Sequence, residues 1–550
     1  MTQHTAMLID ASGIQDYVFG SNELTQNIGA SELVTQATTD WLFAEQSGLL
    51  PRPHNAERSE RSASARWRLT DKGLSDGLAA EVVYAGGGNA LILFASDVKA
   101  KDVAFKLTKK ALQEAPGLRL ILAHRPYAVG QLAATVKGLR DELAVKKRAP
   151  QHSAPLLGLG VTAACNFTGA PAVGIDSDNR YVSAEVAAKQ GAGRPDGLGN
   201  ERLLEYLSDI RGLNYEFIYD FNKLGDRDES SYLAVVHTDG NRMGERIEAY
   251  ADQNSDSDEA YIRAQRAFSV KVQEAAHTAL VSTVGVLLAP TNREWDKKER
   301  LYKIGRKIPI RRDDDGTERL PFRPIVFGGD DVTFVCDGRL GLPLAAHYLS
   351  RLAREILPDG DPLYARAGIA IVKNHYPFAR AYGLAEELCA SAKEFIRKAD
   401  SDKRRIAAMD WHFAVTGLVQ PLKQLRQREY MLGQGENAPS LLLRPLRLAP
   451  VDANEWRSWD VFSDILEEFV SPDGQWFNRR NKVKGLREAL RAGPNAVRLF
   501  LRNLPDSPTL PQPLALASAG DAAQTGWQGN TCLYFDAIEA LDFYVPLEEV

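Results

Sequence analysis

The sequence predicts an α+β fold, built from two copies of one sheet-and-helix domain and a mostly helical C-terminal domain. Three observations predict it. Short apolar, strand-like runs alternate with helix-spaced segments over most of the chain. One order of elements occurs twice: an apolar strand ending in Asp, a Gly turn, a helix, and later a glycine-tipped hairpin. After about residue 416 the strand-like runs give way to amphipathic helical spacing. Repetition on this scale is a stronger guide to architecture than any local motif.

The first copy opens with TAMLIDASGIQDYVF, an apolar strand, then Asp10, then a Gly turn. SNELTQNIGASELVTQATTDWLF follows with Leu33, Ala37 and Trp41 at helical spacing. EVVYAGGGNALILF reads as strand, glycine tip, strand. KDVAFKLTKKALQEA reads as a helix and LRLILAHRP as a strand. This alternation suits an α/β or an α+β sandwich. From about 136 to 228 the pattern weakens. PLLGLGVTAACNFTGAPAV reads as irregular strands and turns, and KQGAGRPDGLGNERLL as a Gly-rich mobile loop. That loop could also cradle a phosphate, although its glycines match no dinucleotide or P-loop pattern.

The second copy begins with SYLAVVHTDGNRMGERI, a strand ending at Asp239, a Gly turn and a helix. RAFSVKVQEAAHTALVSTVGVLL reads as a long helix running into an apolar strand. A polar, basic stretch, residues 291–323, precedes PIVFGGDDVTFV. LGLPLAAHYLSRLAREIL reads as a helix, LYARAGIAIV as a strand, FARAYGLAEELCASAKEFIRKA as a helix and RRIAAMDWHF as a closing strand. Asp10 and Gly86 lie 76 positions apart, and Asp239 and Gly328 lie 89 apart. The hairpin tips differ where chemistry would sit. Gly86-Gly87-Gly88-Asn89 in the first copy has no carboxylate, whereas the second has Gly328-Gly329-Asp330-Asp331. In the last segment LKQLRQREYML, EWRSWDVFSDILEEFV, KVKGLREALRAG and NAVRLFLRNL read as amphipathic helices, divided by Pro-rich joints such as LPDSPTLPQP. Their charges read as solvated faces rather than binding patches. The expected divisions are 1–135, 136–228, 229–415 and 416–550.

Totals narrow the function classes. A chain of 550 residues suggests about three or four domains. Apolar content of 44% and charged content of 25% are ordinary for a soluble protein. A net charge of −5 supplies no global attraction for nucleic acid. The four cysteines, Cys165, Cys336, Cys389 and Cys532, show no metal-ligand spacing, which disfavours a zinc ribbon and suits a reducing cytoplasm. MTQHTAMLIDASG does not read as a signal peptide, and no apolar run reaches ~18 residues, so a cytoplasmic protein without a membrane span is expected.

The chemistry turns on the GGDD tip. Gly and Asp are common turn residues, so a solvated hairpin is one reading. The other is a metal site. A strand ending at Asp239 can lie beside the hairpin and bring Asp239, Asp330 and Asp331 to one sheet end. Clustered carboxylates repel unless a cation joins them. Mg²⁺ (or Mn²⁺) is suited to carboxylates together with substrate phosphates, and two such ions can activate a hydroxyl and stabilise a leaving pyrophosphate. Gly328 and Gly329 would permit a tight turn with room for a nucleotide. Gly240, Asn241 and Gly244 would bring backbone N–H groups of a helix start to a triphosphate. Lys393 is either a surface lysine or a reach to a γ-phosphate, and His375, before Tyr-Pro, reads as structural. The basic run Arg300 to Arg312 is either a duplex contact or a mobile insertion, and Asp313-Asp314-Asp315 after it blunts its charge.

AVVHTDGNRMGERI, LPFRPIVFGGDDVTFVC and ARAGIAIVKNHYPFARAYGLAEELCASAKEFIRK, in that order, resemble the second palm domain of the large subunit of type III CRISPR effector complexes, the Cas ten or Cmr two family. DASGIQDYVFGSNELTQNIGASELV and YAGGGNALILF look like that family's degenerate first palm. The resemblance implies two ferredoxin-like palm domains of the nucleotide cyclase and polymerase type. It implies a nucleotidyltransferase that converts ATP to cyclic or linear oligoadenylate with release of pyrophosphate, in antiviral defence. By position it implies Asp239, Asp330 and Asp331 as catalytic metal ligands and Lys393 near the triphosphate. It also implies RNA or other effector subunits as partners; a homo-oligomer is left open. The sequence departs from the family in having no His-Asp dipeptide and no zinc ribbon, so an HD nuclease domain is not expected. A non-catalytic scaffold or RNA-sensing subunit, and a templated polymerase, are the competing readings.

Overall fold

A computed structural model describes residues 3–59, 66–149, 160–210, 215–221, 224, 231–312, 316–399, 405–414, 421–435, 438–449, 455–513, 516 and 520–548. Two sheets form its centre. The first takes its strands in the order Ala80–Gly86, Asn89–Phe94, Gln3–Ser12, Arg119–Ala128, all antiparallel. The second runs Phe322–Val326, Val332–Asp337, Tyr232–Gly240, Ala365–Lys373, Ala408–Ala414, Leu446–Arg447. It is antiparallel except where Ala365–Lys373 runs parallel to Ala408–Ala414. In both sheets the strand carrying the Asp lies between the glycine-tipped hairpin and an antiparallel neighbour. A helix, Asp97–Glu114 in one and Gly341–Leu352 in the other, joins the hairpin to that neighbour.

Both Asp-bearing strands are apolar on both faces because both faces are covered. In Gln3–Ser12, Met7 and Ile9 enter one core and Ala6 and Leu8 another, the two-residue alternation of a strand. In Tyr232–Gly240, Leu233 and Val235 join the core of Met7 and Ile9, while Ala234 and Val236 face away. One apolar layer therefore lies between the two sheets. Ile9 is 1% exposed, and truncating such a side chain to Ala costs about 2–5 kcal/mol.

The Gly-rich segment expected to be a mobile loop is instead two helices, Ala184–Gly193 and Leu198–Tyr206. Its glycines permit close packing. A Cβ on Gly193 would lie 1.8 Å from Thr25 O, and one on Gly29 1.8 Å from Lys189 O. The first of these helices therefore sits backbone against backbone on the Leu24–Thr38 helix. The expected helix-then-strand is one helix, Asp258–Leu288, whose Ala275, Ala279, Val284 and Leu287 are buried in the core it shares with the Gly341–Leu352 helix. The polar, basic stretch 291–323, whose Arg300–Arg312 run reads as either a duplex contact or a mobile insertion, forms strands Arg293–Asp296, Leu301–Ile304, Ile308–Arg312 and Glu318–Leu320, which join Tyr215–Phe217 in a third sheet. Much of its charge is spent there: Lys303 pairs with Asp296 at 2.8 Å and Arg312 with Glu318 at 2.8 Å. Residues 155–159 and 313–315 lie outside the described residues.

The expected division at 135/136 falls inside the Leu132–Arg148 helix, whose Leu132, Val136 and Leu139 pack on the first sheet. The last part of the chain holds helices Leu422–Glu429, Trp459–Val470, Arg480–Arg491, Pro494–Arg502 and Phe535–Ala540. Phe462, Leu466 and Phe535 share one core with Trp411 of the second sheet. All four cysteines are buried thiols. Among the described residues no helix is long and apolar enough to cross a membrane.

Candidate functional site

Strand register gathers the acidic residues. Tyr232–Gly240 pairs with the hairpin as far as Thr238 opposite Val332. Asp239 follows Thr238 and Asp331 precedes Val332, so both carboxylates leave the same end of the sheet, where the charge of Asp239 is felt at Asp330 and Asp331. Thr238 locks this end by donating from Oγ1 to Val332 O at 3.0 Å. The turn needs Gly328, whose φ of +100° is in the left-handed region. Gly240 is needed for space, because a Cβ there would lie 2.9 Å from Asp330 Cβ and 2.6 Å from Met243 Cγ. Gly329 and Gly244 have no atom within 4 Å of such a Cβ, so packing does not require glycine at either.

The carboxylates leave the turn on different sides. Asp330 packs on Gly240. Asp331 reaches His237, whose Nδ1 is 3.3 Å from Asp331 Oδ1 and 3.1 Å from Thr333 Oγ1. His237 precedes Asp239 by two residues and so shares its face of the strand. The Asp330 carboxyl is pushed up from 3.8 to about 7 by burial, then by the charges of Asp239 and Asp331. Asp331 is pushed up to about 7 by burial, then by Asp239 and Glu386. The Asp331 side chain is 46% exposed overall, yet its Oδ1 is sealed and has no hydrogen-bond partner. Burial holds the His237 imidazole below its usual value, partly offset by Asp239 and Glu386.

Arg366 carries no signal in the sequence, yet it is the principal counter-charge. It lies opposite Asp239 on the neighbouring strand and is 5% exposed. Its guanidinium donates to Asp239 Oδ2, to Gly240 O at 3.3 Å and to Asn241 Oδ1 at 3.1 Å. Asn241, expected to meet a nucleotide, is instead buried and committed to structure. Its Nδ2 donates to Ile406 O at 2.7 Å and its backbone N–H to Tyr364 O at 2.9 Å. Lys393 is exposed on the Phe378–Ala399 helix. It shares a helix face with Glu386 and Cys389, and Cys389 Sγ lies 3.9 Å from Arg366 O. Lys393 is one turn further along, about 6 Å past that level. His375 is exposed beyond Lys373, at the opposite end of the sheet from Asp239.

Hard carboxylate oxygens, mutual repulsion at Asp330 and the orphaned Asp331 Oδ1 fit a divalent cation. Among the described residues, however, no three or more His, Cys, Asp or Glu groups are drawn together as a ligand set; Asp239 is turned to Arg366 instead.

Beside the Gly328 turn a cavity of about 730 Å³ extends to the Gly86-Gly87 tip of the first sheet, without including Asp330 or Asp331 in its lining. Tyr206 and Phe327 face it, their rings 5.0 Å apart. The buried Tyr206 hydroxyl has no partner. Much of its charge is internally paired: Arg66 with Glu205 at 2.9 Å, and Arg202 with Glu32 at 2.7 Å. At the end of the first sheet Asn89 stands opposite Asp10, and Asp10 is bound by Lys147 Nζ at 2.7 Å.

A crystal structure of a Csm1–Csm4 cassette in complex with pppApApA matches 99% of this chain and 70% of its own, at 15% identity and a TM-score of 0.50. The chain has the Csm1 fold. Csm1 in T. onnurineus matches at 15% identity and a TM-score of 0.48, covering 99% of this chain and 69% of that one. No family model and no curated protein matches.

Proposed function

We propose that this chain is a large subunit of a type III CRISPR effector complex, of the Csm1 type, and that it converts ATP to cyclic or linear oligoadenylate with release of pyrophosphate. The observation that carries the reading is the register that ends at Thr238 opposite Val332, so that Asp239 and Asp331 leave the same sheet end with Asp330 beside Gly240. The match to a Csm1–Csm4 cassette crystallised with pppApApA supports it. On this reading the two sheets are palm domains from a duplication, residues 1–135 and 229–415, with an intervening segment 136–228 and a helical domain 416–550. The Asn89 and Lys147 side chains at the first sheet end suit a degenerate copy.

Asp239, Asp330 and Asp331 would hold Mg²⁺ or Mn²⁺. A divalent cation bound there would neutralise the triphosphate and lower the pKa of an attacking 3′-hydroxyl. The protein aligns the reactants, which can supply much of the rate. Gly328 and Gly240 leave space at the turn, and Gly329 is open. The helix starting at Met243 points its N-terminus toward the same end, where Gly244 in its first turn leaves room for phosphate. Lys393 would meet the terminal phosphate. The Tyr206 hydroxyl and the Phe327 ring offer a wall for a base in the adjoining cavity. A Csm4-type subunit and RNA are the expected partners, in the cytoplasm.

A non-catalytic scaffold is favoured by one observation, the Arg366 side chain already satisfying Asp239. Purified chain, alone and with RNA and a Csm4-type partner, should be incubated with each nucleoside triphosphate and Mg²⁺ and the products identified by mass spectrometry. ATP-derived oligoadenylate that disappears in the double variant Asp330→Ala, Asp331→Ala, with unchanged melting, supports the synthase. Equal product from that variant rejects the site, and absence of product under all conditions supports the scaffold.

A further inference from the structure

A second cavity, of about 720 Å³, lies among the end of strand Ala408–Ala414, the Leu422–Glu429 helix and the start of the Arg480–Arg491 helix. Its lining includes five aromatic rings: Phe413, Tyr430 and Trp476 are largely buried, Phe543 is partly exposed and Phe477 is exposed. The rim is basic. Lys307, Arg428, Arg479, Arg480, Lys484 and Arg487 face the three carboxylates of Glu429, Glu539 and Asp542. Those acids are engaged: Glu429 by Arg428 at 2.7 Å, Asp542 by Arg480 at 2.5 Å, and Glu539 by the Tyr430 hydroxyl at 3.1 Å. Lys307 and Lys484 make no ion pair among the described residues.

Two further features call for an anion and an aromatic partner. The Arg480–Arg491 helix has 12 residues, no side-chain cap and no acidic residue in its first turn. Arg479, Arg480, Lys482 and Lys484 crowd its N-terminus instead. That end of a helix is already positive; Asp542 answers Arg480 and Asp506 answers Arg479, while Lys482 and Lys484 have no carboxylate partner among the described residues and leave charge for an anion. His412, 3% exposed, lines the same cavity, and its Nδ1 has no hydrogen-bond partner. Burial, then Arg444 and Arg426, holds this imidazole down to about 3, so it is neutral. A neutral ring in an aromatic wall suits the edge of a heteroaromatic base, and the wall itself suits stacking.

We propose that this cavity binds a nucleotide unit, its base on the aromatic wall and its phosphate at the N-terminus of the Arg480–Arg491 helix. The unit is either a free mononucleotide or the end of a single-stranded RNA. The charged helices of this region, which read from sequence as solvated faces, then hold a binding site separate from the acidic hairpin.

The test uses the full chain carrying Asp330→Ala and Asp331→Ala, in EDTA, so that the acidic site contributes no binding. The probe is 5′-phosphorylated tetra-adenylate RNA labelled at its 3′ end, read by fluorescence anisotropy. Binding is expected, weakened at least about tenfold by Arg480→Glu with Lys484→Glu, and about fivefold or more by Phe477→Ala. Phe477 is 42% exposed, so its loss should leave melting unchanged. Lys106→Glu with Lys109→Glu, on an exposed helix elsewhere, makes the same net charge change and should leave binding within about twofold. Displacement by AMP identifies a free nucleotide as a sufficient ligand; failure of AMP where unlabelled RNA displaces identifies the strand end. Equal loss in both charge-reversed variants, no effect of Phe477→Ala, or no binding of the probe overturns the proposal.

Discussion

Replacing Asp330 by Asn should stabilise the metal-free protein at pH 8. Its carboxyl is held at about 7, against 3.8 for the free acid, because burial and the charges of Asp239 and Asp331 oppose ionisation. That difference corresponds to about 4 kcal/mol against the charged form. Asp330 is only partly buried, so solvent screening should reduce the share felt in stability to ~1–2 kcal/mol. The sign follows from proton counting. A folded-state value raised above the unfolded one means that the folded protein holds the extra proton between about 4 and 7. The stabilisation is therefore complete below the unfolded value and is lost as pH rises through about 7. In EDTA the wild type should lose stability over that interval, and Asp330→Asn should lose less. At pH 8 the variant should melt roughly 1–2 °C higher, and at pH 4 the two should coincide. Mg²⁺ at pH 8 should raise the wild type more than the variant. Thermal melting across pH with and without Mg²⁺ measures all of this. A variant that melts below wild type at pH 8, or a difference independent of pH, would refute the reasoning.

Removing the Arg366 side chain as Arg366→Met takes the partner from Asp239 and should cost about 1–3 kcal/mol in urea unfolding without metal; a change under about 0.5 kcal/mol would deny it the counter-charge role. Gly240→Ala should push Asp330 aside, lowering oligoadenylate production at least about tenfold, with melting and product yield read on one preparation. Gly193→Ala should separate two helices now in backbone contact and destabilise by about 2 kcal/mol or more, so unaltered urea unfolding would contradict that packing. Lys393→Ala should raise the KM for ATP with little change in kcat if its contact is made equally in ground and transition states; steady-state kinetics decide this.

The residues that were legible are those whose signal is local. Asp239, Gly328, Asp330 and Asp331 stand out because β-branched runs flank glycine and acid within a few positions. Arg366 carries no such signal: its position becomes meaningful only through strand pairing with Asp239 across 127 residues. Asn241 misled because an Asn beside a Gly turn suits phosphate binding, while its hydrogen bond to Ile406 O is fixed by a distant strand. Glycine also has two physical uses. In the 189–200 segment composition suggested freedom, but Gly193 is required by close approach to Thr25 O. The Val and Leu residues of VSTVGVLL suggest a strand, and burial in the core beside the Gly341–Leu352 helix holds them helical.

The contact between Lys147 and Asp10 means that the amino-terminal sheet carries its balancing charge on its own polypeptide. Such a charge cannot be stripped by a chelator or diluted away. The second sheet answers Asp239 with Arg366 in the same way but leaves Asp330 and Asp331 to repel each other, so the two halves, alike in outline, differ in how much negative charge their sheet ends leave unanswered.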